Sequence, residues 1–126
     1  MDEAFIKKVQ PNSPEAQQSV IGAMIMDRDA IADVIDIVNA DDFYQKQNGI
    51  LFEAMTELYR EGKPVDLVTL QNRLREKDVP PEVSSLDFVR DIMTSVPTSV
   101  NVKSYANIVR EKAVLRRLIK VNEEIE

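Results

Sequence analysis

Apolar residues recur at three- and four-residue steps along most of the chain, which is the spacing that places side chains on one face of an α-helix. The clearest stripes are Ala16, Val20, Ala23 and Met24, then Ile31, Val34, Ile35 and Val38, and then Leu67, Leu70 and Leu74. Strand signals are weak, since the apolar run at residues 65–68 is too short to weigh. The pattern therefore predicts an all-α protein with about six helices.

Capping and turn residues bound the predicted helices. Serine, threonine or aspartate is expected where a helix begins, and glycine or proline where it ends. The predicted starting caps are Ser13, Asp29, Asp41 or Asp42, Asp66, Ser84 or Ser85, and Thr98 or Ser99. Gly62 is the clearest stop signal, and the adjacent prolines Pro80 and Pro81 predict an extended connection before the fifth helix.

The last predicted helix changes its apolar direction halfway along. With about 100° between successive residues, the first apolar set lies on one line: Val102, Ala106, Val109 and Ala113. The second set is centred about 140° further round: Val114, Leu115, Leu118, Ile119, Val121 and Ile125. This helix is therefore predicted to have two different partners along its length. Complete burial in its own domain is disfavoured, because six basic side chains lie on it.

The length of 126 residues is that of one domain. We divide it into an N-terminal arm at 1–12, a compact helical head of about five helices at 13–97, and the long helix at 98–126. The chain has no cysteine and no histidine, so disulfides, thiolate nucleophiles, Cys/His zinc sites and histidine bases are excluded. It shows no signal peptide and no membrane-length apolar run, which predicts a soluble, cytoplasmic protein.

The chain offers no convincing catalytic, cofactor-binding or metal-binding residue. The carboxylate pairs Asp33/Asp36 and Glu53/Glu57 have no histidine or second carboxylate motif opposite them, so we interpret them as solvated surface. Gly62 and Lys63 lack the spacing of a phosphate-binding loop. A helical domain without chemistry and with one helix in need of an external partner is predicted to be an interaction module.

Net charge is −6 for the whole chain, but the last 26 residues hold six basic and four acidic side chains, which leaves −8 on residues 1–100. A basic helix on an acidic body predicts docking onto acidic protein surface, its own or that of a neighbour. The alternative is a helical DNA-binding module with salt-dependent affinity. Its basic face is Arg110, Arg116, Arg117 and Lys120.

Three stretches, PNSPEAQQSVIGAMIMD (11–27), DDFYQKQNGILFEAMTELYREGKPVDLVTL (41–70) and SVPTSVNVKSYANIVREKAVLRRLI (95–119), resemble the N-terminal domain of bacterial DnaB-type replicative DNA helicases. The resemblance implies a helical head followed by a two-helix hairpin, of which this chain holds the first arm. It also implies a RecA-type ATPase domain beyond residue 126, which would use ATP and magnesium. The fragment itself is expected to be no enzyme and to need no cofactor.

The resemblance further implies a collar in which hairpins pair between protomers and six N-terminal domains assemble above the motor ring. The collar is expected to dock the C-terminal domain of primase and to influence a helicase loader, while DNA is handled mainly by the motor domain. The related helicase-binding domain of primase is the alternative identity.

Residues carried over from the family motif are expected to form the partner or oligomer interface. They are Phe88 in the head and Val114, Arg116, Arg117, Leu118, Ile119, Val121 and Ile125 on the hairpin helix, with the two arginines as polar rim. The alternative for each residue is that it holds the head and the hairpin together.

Overall fold

The computed structural model describes residues 10–84, 86–94 and 101–125, with the side chains of 84, 86, 92–94, 124 and 125 outside that description. These residues form seven α-helices, one 3-10 turn and no strand, which confirms the all-α prediction. The helices are α1 Pro14–Met26, α2 Arg28–Ile35, α3 Lys46–Arg60, α4 Leu67–Glu76, α5 Pro81–Ser84, α6 Leu86–Thr94 and α7 Val102–Ile125, with the 3-10 turn at Ala40–Asp42. Within the described ranges, no helix combines the length and the apolar composition that a membrane span requires.

Helix α1 is the centre of the head. It packs against α7, α2, α6 and α3, so nearly all of its circumference is covered. Besides the predicted stripe, the structure buries Ile21 and Ile25, which point away from that stripe. A helix that is apolar on most sides is stable only inside a bundle, and the other helices supply that cover.

Three of the predicted helix boundaries are confirmed. The hydroxyl of Ser13 caps α1, and Asp66 forms a reciprocal capping box with Thr69, with both hydrogen bonds at 2.9 Å. Gly62 ends α3 with a φ of +73°, a conformation that glycine adopts without steric cost.

Two other boundaries differ from the prediction. Helix α2 begins at Arg28, because Asp27 rather than Asp29 is its cap: the Asp27 carboxylate accepts a hydrogen bond from the Asp29 amide at 2.9 Å. Pro81 does not continue an extended connection but begins the one-turn helix α5, since proline suits the first helical position. The predicted caps Ser85, Thr98 and Ser99 lie outside the described residues.

The prediction that Asp41 or Asp42 caps the third helix is wrong. Both residues lie in the 3-10 turn, and α3 begins only at Lys46. Asp42 is buried, and its Oδ2 accepts a hydrogen bond from the Asn39 amide at 2.9 Å. Asp42 is therefore the third residue of the turn, its side chain bonds back to the cap residue Asn39, and its carboxylate faces the protein.

Gly49 lets α3 approach this turn closely. A Cβ at position 49 would lie 2.8 Å from the backbone oxygen of Ala40. We expect Gly49→Ala to lower the free energy of unfolding by about 1–3 kcal/mol through overpacking, although alanine by itself favours a helix. Urea denaturation measures the change, with Gln47→Ala on the exposed side of the same helix as the control. An alanine variant as stable as the parent would contradict this packing.

Ion pairs join α3 to α4 on the surface. The Arg73 guanidinium lies 3.1 Å from Glu57 and 2.8 Å from Glu61, and the Lys77 ammonium lies 3.1 Å from Glu53 and 2.7 Å from Glu57. The carboxylates of Glu53 and Glu57 thus bind cations of the neighbouring helix.

These ion pairs shift the acid strength of the carboxyls. Hydrogen bonds from Arg73, and then from Lys63, lower the pKa of Glu61 from 4.5 to about 2. Burial by itself raises the pKa of Glu57, but hydrogen bonds from Lys77 and Arg73 outweigh it and lower the pKa overall. A carboxylate whose pKa is depressed by folding stabilises the fold above its unfolded pKa and loses that effect as pH falls through its folded pKa.

We therefore expect the contribution of Arg73 to stability to be complete above about pH 5 and to fade between about pH 4.5 and pH 2. Urea denaturation of the parent and of Arg73→Gln across this range measures it. The difference in free energy of unfolding should shrink towards acid pH, whereas exposed Arg75→Gln should show no such trend. A constant difference for Arg73→Gln would argue against the pairing.

Candidate interaction surface on the last helix

The first half of α7 belongs to the head. Val102, Ala106, Val109 and Ala113 are all buried, and this part of the helix packs on α1 and α2. The two alanines are small enough to let the helix axes come close. The predicted inward line of the first half is confirmed.

The second half of α7 presents aliphatic side chains to solvent. Val114 is 43% exposed, Leu115 44%, Leu118 56% and Val121 49%. We call these four residues the seam. Ile119 is half-buried, and the side chain of Ile125 lies outside the described residues. Within those limits, the predicted change of direction along the helix is confirmed.

The spacing of the seam is that of a helix packing along another helix. Val114, Leu118 and Val121 follow each other at four and three residues, the alternation of the core positions in a heptad repeat. Leu115 widens the stripe on one side. Contiguous exposed aliphatic side chains of this kind are typical of protein-interaction surfaces.

Arg116 and Arg117 fasten the start of the second half to the head. The guanidinium of Arg116 donates to the backbone oxygens of Pro11 at 2.8 Å and Asp42 at 2.7 Å, and lies 5.2 Å from the centre of the Tyr44 ring. Arg117 donates to the Asp42 carboxylate at 2.5 Å. We call these contacts the latch.

The latch changes how the two arginines are interpreted. Both were expected at the rim of a partner interface, and the structure shows both bonded to their own head; a role towards a partner stays a prediction. Burial lowers the pKa of Arg116, and the charge of Arg117 acts in the same direction. The guanidinium of Arg116 nevertheless stays charged, because an arginine pKa lies far above neutrality.

The latch also weakens the DNA-binding alternative. Of the four basic residues proposed for that face, Arg116 and Arg117 already donate to Asp42 and its neighbours, although 54% of the Arg117 side chain stays exposed. Arg110 and Lys120 are exposed, and these two alone do not form the concentrated basic stripe that phosphate binding requires.

Phe88 lies on α6, in a different part of the sequence from the seam. It is half-buried and lines an open cavity of about 230 Å³ together with Gln18, Gln45, Gln47 and Asn48. An aromatic ring beside several carboxamides can hold the side chain of a protein partner while the amides bind its backbone.

Two of the residues that line this cavity are hydrogen-bonded to a buried glutamine. Gln17 is almost wholly buried, and its Oε1 accepts hydrogen bonds from the Gln45 amide at 3.3 Å and from the Asn48 side chain at 3.2 Å. These bonds connect α1 to the start of α3, so the buried core of the head holds the side chains that line the cavity in place.

Residues 9–111 match the family described as the DnaB-like helicase N terminal domain. The chain is 38% identical over 120 residues to the replicative DNA helicase DnaB of Geobacillus stearothermophilus, which is 95% of this chain and 26% of that protein. It is also 38% identical over 117 residues to the DnaB of Haemophilus influenzae, 93% of this chain and 25% of the relative. The chain thus spans about a quarter of the length of the curated relatives it matches.

Two solved structures share the fold. The N-terminal domain of the DnaB helicase from Helicobacter pylori, described with its interactions with primase, has a TM-score of 0.77 at 20% identity and covers 99% of this chain and 95% of that one. The N-terminal domain of the DnaB helicase from Mycobacterium tuberculosis has a TM-score of 0.88 at 34% identity and covers 93% of this chain and 85% of that one. The chain therefore belongs to the family of DnaB-like helicase N-terminal domains.

Proposed function

We propose that this chain is the non-catalytic collar domain of a replicative DNA helicase, which joins protomers through the second half of α7 and docks primase. ATP hydrolysis and DNA unwinding then belong to the remainder of the protein. The observation that carries the proposal is the seam, a row of exposed aliphatic side chains on a helix whose first half buries its own apolar line against the head.

Physical chemistry favours a second helix as the cover of the seam. A short helical segment with little tertiary support is marginal in water, and the exposed apolar side chains of the seam gain free energy when they are buried. A second copy of the chain presents the same seam, so two copies can pair around a two-fold axis. Pairing buries the exposed side chains of the seam and stabilises the end of the helix.

Sedimentation equilibrium over a range of protein concentrations tests the assembly step. We expect dimers or larger species to form as concentration rises. A chain that stays monomeric up to about 1 mM, where even weak specific complexes form, would contradict self-assembly through the seam.

Docking of primase is supported by the family and by the cavity beside Phe88. We expect the C-terminal domain of primase to bind the assembled chain and Phe88→Ala to weaken that binding at least about tenfold, as truncation of an aromatic anchor does. Isothermal titration calorimetry measures it, with exposed Arg90→Ala on the same helix as the control. Equal affinities of the parent and Phe88→Ala would remove Phe88 from the interface.

The same titration with single-stranded DNA in place of primase distinguishes a collar domain from a DNA-binding module. The collar proposal expects negligible DNA affinity. Tight binding that weakens steeply with added salt would instead support a DNA-binding module.

A further inference from the structure

Helix α7 passes from packed to exposed within a single turn. The buried line ends at Ala113, and the seam begins at Val114. Arg116 and Arg117, which reach back to the head, follow directly. The latch therefore stands where the helix leaves the head, at the point that determines where the rest of the helix points.

Arg116 joins three segments that are far apart in sequence. Its two backbone acceptors, Pro11 and Asp42, lie 105 and 74 residues away along the chain, one in the arm before α1 and one in the 3-10 turn. A planar guanidinium that donates to two separate carbonyls fixes its own position and its rotation. The face of Tyr44 holds the same group from a third direction.

One acceptor of Arg116, the Asp42 oxygen, lies in a turn packed into the head, and the other, Pro11, lies in the arm directly before α1. The 3-10 turn packs against α3 and α7, and Gly49 allows α3 to lie directly against it. Asp42 is buried and bonded to the Asn39 amide. The oxygen that receives Arg116 therefore does not follow the helix if the helix swings.

We propose that Arg116 is a positioning residue: through Pro11 and Asp42 it fixes the direction in which the seam leaves the head, and Arg117 reinforces it through the Asp42 carboxylate. The consequence rests on the proposed function, since a seam held in one direction meets its partner without first losing orientational freedom. Without Arg116, the first half of α7 stays packed while the second half samples several directions.

The variant Arg116→Lys distinguishes the effect of the guanidinium geometry from the effect of the positive charge. An ammonium keeps the positive charge but is a compact donor on a flexible stem, so it does not reproduce the fixed fork that spans two carbonyls. If charge alone mattered, Arg116→Lys would behave like the parent. The positioning role instead predicts that lysine restores only part of the effect.

Distances between two spin labels test the proposal directly. The natural chain has no cysteine, so Val68→Cys on α4 and Asn122→Cys on α7, both at exposed positions, give a unique labelled pair. The labelled chain is diluted with unlabelled chain, so that each measured distance lies within one molecule. The distance distribution is compared among the parent, Arg116→Ala, Arg116→Lys and the exposed control Arg110→Ala, and the unfolding midpoint of each is recorded.

We expect a narrow distribution for the parent and for Arg110→Ala. Arg116→Ala should widen it about twofold or more, as a helix end released from its contacts does, with Arg116→Lys between the two. The dissociation constant of Arg116→Ala for self-association should rise about tenfold, equivalent to 1.4 kcal/mol. Arg117→Ala should widen the distribution less, because both carbonyl bonds of Arg116 remain.

An unchanged width in Arg116→Ala would overturn the proposal, including when the unfolding midpoint falls, because that result would leave Arg116 with a purely stabilising role. The same widening in Arg110→Ala would overturn it as well. If the parent chain does not self-associate, the proposed assembly function fails, and the label distances still decide the role of Arg116.

Discussion

We expect Leu118→Asp to raise the dissociation constant for self-association by at least about 100-fold, equivalent to about 2.7 kcal/mol. Leu118 is 56% exposed in the single chain, so the head tolerates the change. In a helix pair the same position is covered, and a carboxylate without a partner there loses its hydration. Sedimentation equilibrium of the two proteins over the same concentrations measures the difference.

Lys120→Asp is the matched control for this experiment. It places the same residue two positions away, on the side of α7 opposite Leu118, and changes the net charge by more. We expect it to associate nearly as the parent does. Leu118→Asp that associates as tightly as the parent would place the interface elsewhere.

The second large effect is expected in the first half of the same helix. Val109 is 2% exposed, so Val109→Asp puts a charge into the packed contact between α7 and the head. We expect the free energy of unfolding to fall by at least about 3 kcal/mol. Val109→Ala, which removes two methyl groups without adding charge, should cost about 1–3 kcal/mol. Urea denaturation followed by circular dichroism measures both.

Val121→Asp is compared with Val109→Asp to show that the loss of stability depends on the position along the helix. The substitution is the same, but Val121 is 49% exposed, so the loss of stability should stay below about 1 kcal/mol, mainly from the negative charge near the helix C-terminus. Its effect should show in self-association instead. Equal losses of stability at 109 and 121 would mean that both halves of α7 are structural parts of the head.

The change of direction in α7 could be predicted from sequence because helical geometry is local. The angle between Val109 and Val114 follows from their spacing alone, so the two apolar faces can be distinguished without the structure. The same reasoning located the caps Ser13 and Asp66 and the stop at Gly62, since each of these depends on neighbours within a few residues.

The latch could not be predicted in that way. Arg116 finds its acceptors 74 and 105 residues away, and an arginine on a helix has the same local pattern whether it faces a carbonyl or water. The prediction of Asp42 as the cap of α3 is wrong for a related reason: aspartate is favoured both at helix caps and in turns, and tertiary packing decides between them. The roles of Phe88, Ile119 and Ile125 towards a partner stay predictions, because an interface depends on a second molecule.

We expect helix α7 to be shared between two molecules, with its first half in one head and its second half against a partner. Amide hydrogen exchange, measured for residues 102–125 at several protein concentrations, tests this most directly because it needs no substitution. We expect slow exchange at 102–117 at every concentration, and exchange at 118–123 that is fast in dilute solution and slows as the chain assembles. Slow exchange at 118–123 that does not depend on concentration would contradict a shared helix, because the second half of the helix would then be stable without a partner.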